Sequence, residues 1–152
     1  MTNVPTDQEV VAGVTDTLLD YCQFLDEKRL DDWIELFTED CVFIEGPPAT
    51  GRAHIRRRVR KVLEMFDGLS HHLSNIRVYR TGPHSADAMS YIYAWHDGRE
   101  RGHLEIWGRY IDSLCQQDGR WLFSRREVRV QGWTGDQDLG LDRVPQQVLP
   151  SA

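Results

Sequence analysis

Apolar residues recur at three- and four-residue intervals from Val10 to Leu25, and the period shortens to two beyond residue 70. The first pattern runs Val10, Val11, Val14, Leu18, Tyr21, Cys22 and Leu25 behind a Thr6–Glu9 capping box that follows Pro5. It predicts an amphipathic helix of about five turns ending near Asp26. A short second helix, capped by Asp31 or Asp32, would carry Trp33, Ile34, Leu36 and Phe37. "CVFIE" (41–45) reads as a strand broken by "GPPATG", and a third helix follows Gly51 and stops around 66–68. From residue 71 onward the chain is rich in branched and aromatic residues, with runs at 71–80, 86–96, 102–117 and 120–133. "HDGRERG" and "QDGR" between the later runs are hairpin-like connections, which predicts an antiparallel meander.

Helices followed by a long antiparallel sheet is an α+β arrangement. A sheet of this length curves, and three N-terminal helices laid against its concave side make a cone with a pocket at the open end. The length of 152 residues suits one domain, assigned to 1–135, with a Pro-containing tail over 136–152. A net charge of −6 argues against nucleic acid as a partner. "RAHIRRRVRK" (52–61) is the basic exception, and on a helix it reads first as a solvated face. Cys22, Cys41 and Cys115 have no CxxC spacing and suit reduced thiols. No apolar run approaches the roughly 20 residues that span a bilayer, and the N-terminus lacks the features of an export signal, so a cytoplasmic location is expected.

Asp26 ends the helix beside its apolar stripe, where a carboxylate opposes the helix dipole. It is either a solvated helix end or a carboxylate held for chemistry. His71 and His72 open the first long strand, and alternation lets one face the cone while the other faces out. A lone strand histidine is ordinarily structural, but an Asp beside it would fix its tautomer and make it a general base. Among the sheet aromatics, Tyr93 and Trp107 are candidates to hold a cyclic substrate, with Gly108 leaving room beside them. Arg125 and Arg129 share one face of the last strand and Arg126 takes the other; surface positions are the ordinary reading, and Arg129 is the candidate for an anionic group. His54, His84, His96 and His103 show no metal spacing, and no nucleotide-binding or serine-hydrolase motif occurs.

Tyr21 and Asp26, "LDDWIELFTEDCVF", "SHHLSNIRV", "GRYIDSL" and "DGRWLFSRREV" together resemble the SnoaL-like group of the nuclear-transport-factor-2-like superfamily. That group includes scytalone dehydratase, bile acid 7-alpha-dehydratase, hexachlorocyclohexane dehydrochlorinase, ketosteroid isomerase relatives and polyketide cyclases. The resemblance spans roughly residues 8 to 132. It implies an α+β cone and a cofactor-independent, metal-free lyase, isomerase or cyclase acting on a small, largely apolar cyclic molecule. It assigns Asp26 and His71 as the acid–base pair and Tyr21 as the pocket tyrosine. "LDEKRLDDWIELFTEDCVF" and "HLSNIRV" also resemble the small (beta) subunits of aromatic-ring-hydroxylating dioxygenases, which serve a Rieske-type large subunit. The chain departs from them between 46 and 70. Exposed aromatics on the outer sheet face suggest a homo-oligomer, either a dimer or a trimer.

Overall fold

Thr6 starts the first helix as its motif predicts. Its hydroxyl accepts from the Glu9 N–H at 3.3 Å, and the Glu9 carboxylate accepts from the Thr6 N–H at 2.7 Å. In the computed structural model, which describes residues 4–98, 100 and 102–135, helix α1 covers Asp7–Asp26. It buries Val10, Val14, Thr17, Leu18, Tyr21, Cys22 and Leu25 on one side. Lys28, in the left-handed region at φ 56°, turns the chain sharply after α1. Helix α2 (Leu30–Ile34) therefore begins at once, with Arg29 at its cap position. Asp31 and Asp32 lie inside its first turn and are not its caps, which corrects the sequence reading.

The strand that follows starts earlier than expected. β1 spans Phe37–Ile44, so Phe37 belongs to the sheet and not to α2. The expected break at 46–51 contains a short strand, β2 (Pro48–Thr50), reached through a turn at Gly46. Helix α3 (Arg52–Leu63) then buries Ile55, Val59 and Leu63. The long strands are β3 (Gly68–Gly82), β4 (Ser85–Asp97), β5 (His103–Gln117) and β6 (Arg120–Gly135).

The strand order is β2-β1-β6-β5-β4-β3. The expected α+β cone stands: a curved, unclosed six-stranded sheet with its helices contributed by the N-terminal part of the chain. The sheet is not wholly antiparallel, however. β1 runs parallel to β6, with Val42 opposite Arg125 and Ile44 opposite Glu127. A parallel pair needs a long connection, and the whole segment from β2 to β5 supplies it. The predicted tail over 136–152 lies outside the described residues.

Irregular registers bend the sheet and change which residues face in. Between Ser74 and Arg77 the β3 register shifts at Asn75, whose φ is 51°. Leu73 before the shift, and Ile76 and Val78 after it, pack toward the same core. A bulge of this type accentuates twist. A second shift lies between Trp107 and Gly108 on β5. A Cβ at Gly108 would sit 2.1 Å from the Arg129 carbonyl oxygen, so only glycine lets the two strands approach there.

Aromatic rings fill the centre of the cone. Trp33, Phe37 and Phe123 are completely or almost completely buried, and Tyr21 touches all three with ring centroids 5.3 to 6.2 Å apart. Each such side chain contributes roughly 1.5–3 kcal/mol of burial. Thr17 fixes α1 to β6 by donating to the Trp121 carbonyl at 2.9 Å. Burial also silences two thiols. It pushes Cys22 up to about 12 and Cys41 up to about 11. A thiol reagent should therefore label the half-buried Cys115 in the native protein, with Cys22 and Cys41 reacting only after denaturant is added.

Candidate active site

Asp26 is the last residue of α1, and β3 packs alongside that helix. Its carboxylate is held at two points by one residue. Oδ2 accepts from the His71 backbone N–H at 2.9 Å, and Oδ1 lies 2.5 Å from His71 Nδ1. Those two hydrogen bonds offset the unfavourable placement of a carboxylate at a helix C-terminus. With Oδ1 accepting, Nδ1 carries the proton and Nε2 keeps its lone pair. The His71 side chain is 6% exposed and that of Asp26 24%. Of the histidine doublet, His71 turns into the cone. His72 is exposed, bonds the Ser70 hydroxyl at 2.9 Å and lies against the Tyr93 ring.

The His71 ring opens on a cavity of about 70 Å³. Leu25, Phe43, Val59, Val62, Leu63, Leu69 and Val128 form its apolar wall, and Tyr21, Glu45, His71, His96 and Tyr110 its polar positions. Ligand pockets usually offer several hundred Å³, so this cavity is small by comparison.

Beneath the two tyrosines lies a buried ion pair. Arg126 donates through Nε and Nη2 to both oxygens of Asp112, each at 2.8 Å, with both side chains fully buried. The guanidinium carbon sits 3.9 Å from the Tyr21 ring centroid and 4.1 Å from those of Tyr110 and Phe123. Nη1 of Arg126 has no hydrogen-bond partner among the described residues. Burial opposes the charge, but Asp112 outweighs it and holds the arginine protonated. Burial also pushes the Tyr21 and Tyr110 phenols upward, so both remain hydrogen-bond donors at neutral pH.

His96 completes the polar group. Its Nδ1 lies 3.3 Å from the Leu104 carbonyl, and its ring meets Phe66 at 4.8 Å and the edge of His71 at 5.4 Å. Burial first, and then the charge of His71, push it down to about 4 from an ordinary 6.5. The unfolded chain takes up this proton below 6.5 and the folded chain only below about 4. The His96 contribution is therefore intact above the ordinary value and is lost as pH falls between the two, by up to about 3 kcal/mol. Thermal unfolding midpoints of the protein should fall over that window, and His96→Gln should flatten the fall.

The remaining sequence candidates do not share this cavity. Tyr93 and Trp107 are each 42% exposed on the outer face of the sheet, together with Trp95. They are cross-strand partners on β4 and β5, so one face carries both. Arg129 is also outside, donating to Glu127 at 2.7 Å. Gly108 serves the close approach of two strands and not of a ligand. Tyr93, Trp107, Gly108 and Arg129, expected at a substrate pocket, do not line this cavity. The inward arginine is Arg126, and the surface reading fails for it. Glu45, His96 and Tyr110 are pocket residues that sequence reasoning missed, and Arg126 stands behind them against the Tyr21 and Tyr110 rings. A usable signal existed for Glu45, since Cys41, Phe43 and Glu45 alternate on one face of "CVFIE". Among the described residues no group of three or more His, Cys, Asp or Glu could hold a metal ion, and no helix is long and apolar enough to cross a membrane.

This geometry can be set beside known proteins. No curated protein sequence matches the chain. A scytalone dehydratase candidate from Novosphingobium aromaticivorans is 28% identical, covering 91% of this chain and 94% of its own, with a TM-score of 0.85. A candidate aromatic ring hydroxylase from the same organism is 23% identical over 86% of this chain and 96% of its own, with a TM-score of 0.80. A type 2 hexachlorocyclohexane dehydrochlorinase (LinA) is 18% identical over 94% of this chain and all of its own, with a TM-score of 0.77. The latter two likenesses establish the fold alone. The model of the SnoaL-like domain matches residues 8–127, most of the chain and every residue of the cavity but Val128, and the protein belongs to that family.

Proposed function

We propose that the protein is a cofactor-independent lyase of the dehydratase type. The observation that carries this reading is the two-point hold of Asp26 on His71, which leaves Nε2 as a base facing an apolar cavity. His71 abstracts a proton next to an activating carbonyl. Asp26 keeps the ring in the required tautomer and stabilises the imidazolium that forms. Tyr21, held protonated by burial, donates to the developing enolate or the departing group. The apolar wall favours a small, largely apolar cyclic substrate and excludes water from the transferred proton. Isomerisation or ring closure through the same enolate would use the same pair. The similarity to the scytalone dehydratase candidate and the SnoaL-like family supports the lyase class.

The test is a spectrophotometric screen of cyclic ketones bearing a leaving group at the β carbon, run on the protein and on His71→Gln. Enone formation that depends on His71 supports the proposal, and identical rates for the two proteins would sink it. The outer aromatics Tyr93, Trp95 and Trp107 favour a second copy of the chain on that face, or in the alternative reading a dioxygenase large subunit. Light scattering of the purified chain, and co-expression with a Rieske-type large chain, separate those two partners.

A further inference from the structure

We propose that Glu45 is a second proton-transfer group, a neutral carboxylic acid that protonates the leaving oxygen while His71 removes the proton from carbon. The inference rests on the lyase reading above and deepens it by naming the substrate class, a cyclic β-hydroxy carbonyl compound that loses water.

Cys41 and Phe43 of β1 are buried in the core, and Glu45 continues their alternating row just past the strand's end. β1 and β3 are separated by β6, β5 and β4, so in a curved sheet they stand on opposite sides of the concavity. Glu45 from the first side and His71 from the second nevertheless line one cavity. A molecule in that cavity meets both a base and a carboxyl.

Its surroundings suit a carboxyl that keeps its proton. Phe43, Val59, Val62 and Leu63 share the wall with it, and none can solvate a charge. The nearest cation, Arg58, is committed to backbone: its guanidinium donates to the carbonyls of Glu45 and Pro47. Tyr21, Tyr110 and His96 are the other titratable groups on the cavity wall, with Asp26 and Arg126 behind it. Burial pushes the Glu45 carboxyl up, with Arg58 and His71 pulling less strongly the other way.

The proton count closes. The C–H electron pair becomes the new C=C bond as its proton moves to His71 Nε2. The C–O bond breaks, its electron pair stays on oxygen, and the Glu45 proton joins that oxygen to release water. His71 then holds one extra proton and Glu45 lacks one, and a transfer through solvent after product release restores both. Hydroxide is a poor leaving group, which is why such a site gains from an acid at that position.

Two measurements on the full chain test this. Infrared difference spectra at neutral pH, taken between the protein and Glu45→Gln, should contain the carbonyl band of a neutral carboxylic acid. The carboxylate bands of an ionised Glu45 in its place would overturn the proposal. The second measurement compares 3-hydroxycyclohexanone with 3-(4-nitrophenoxy)cyclohexanone, with circular dichroism to show that each variant folds. Glu45→Gln should slow loss of water by at least about 10²-fold, and loss of nitrophenoxide, which needs no acid, only several-fold. His71→Gln should slow both. Equal slowing of the two leaving groups by Glu45→Gln, or none, overturns the acid role. If the protein turns over neither probe but still exchanges deuterium into cyclohexanone through His71, the β-hydroxy assignment fails and the base survives. If that exchange is also missing, the lyase reading itself fails.

Discussion

His71→Gln is expected to fold normally and to lower turnover of a β-substituted cyclic ketone by at least about 10²-fold. The side chain reaches the Asp26 carboxylate at 2.5 Å, and its loss removes the base while leaving the backbone N–H on Oδ2 in place. That surviving bond is why the end of α1 should stay docked on β3. Asp26→Asn should cost nearly as much, because an amide in that position can present a donor where the ring needs an acceptor and permits the wrong tautomer. The double variant should be little worse than either single one, since two groups acting as a unit do not add. His72→Gln is the control. Its ring lies outside against Tyr93, so its removal should leave turnover unchanged within a factor of about two. Steady-state rates on one probe decide all four. Loss of activity on changing His72, with His71→Gln benign, would refute the assignment.

The largest effect on stability should come from Arg126→Met. It strands the fully buried Asp112 carboxylate without the two 2.8 Å bonds that satisfy it. Breaking one side of a buried pair costs roughly 3–5 kcal/mol. For a chain of this size that lowers the unfolding midpoint by roughly 10 °C. Asp112→Asn should be comparable, because the arginine cannot shed its charge. Replacing both partners, as Arg126→Met with Asp112→Leu, should recover much of the loss. Urea unfolding of the three variants gives the comparison. If the double variant is as unstable as the sum of the single ones, the cost lies in packing against Tyr21, Tyr110 and Phe123 and not in an unpaired charge.

Local chemistry was enough to read much of this molecule without coordinates. The Thr6–Glu9 box and the spacing from Val10 to Leu25 predicted α1 to its last residue, because capping and helical period are interactions within one short segment. The meander of β4 to β6 followed from branched and aromatic runs separated by turn residues. Resemblance to the SnoaL-like group singled out Asp26 and His71, and the fold places them in hydrogen-bond contact. Composition could not have done so, since Asp26 alone reads equally well as a solvated helix end.

What a chain pattern cannot carry is which face of a strand becomes the concave one. Alternation correctly separated Arg126 from Arg125 and Arg129, yet left open which set faces the helices. Only the docking of α1 onto the sheet buried Arg126 and left Arg129, Tyr93 and Trp107 on the outer face. Asn75 adds a register shift, so positions counted along β3 from His71 change phase before Ile76. The parallel pairing of β1 with β6 joins segments about eighty residues apart in sequence, a contact that no local propensity encodes. With β1 at one side of the curved sheet and β3 at the other, Glu45 and His71 come to line one cavity, and burial there pushes Tyr21 and Glu45 up and His96 down.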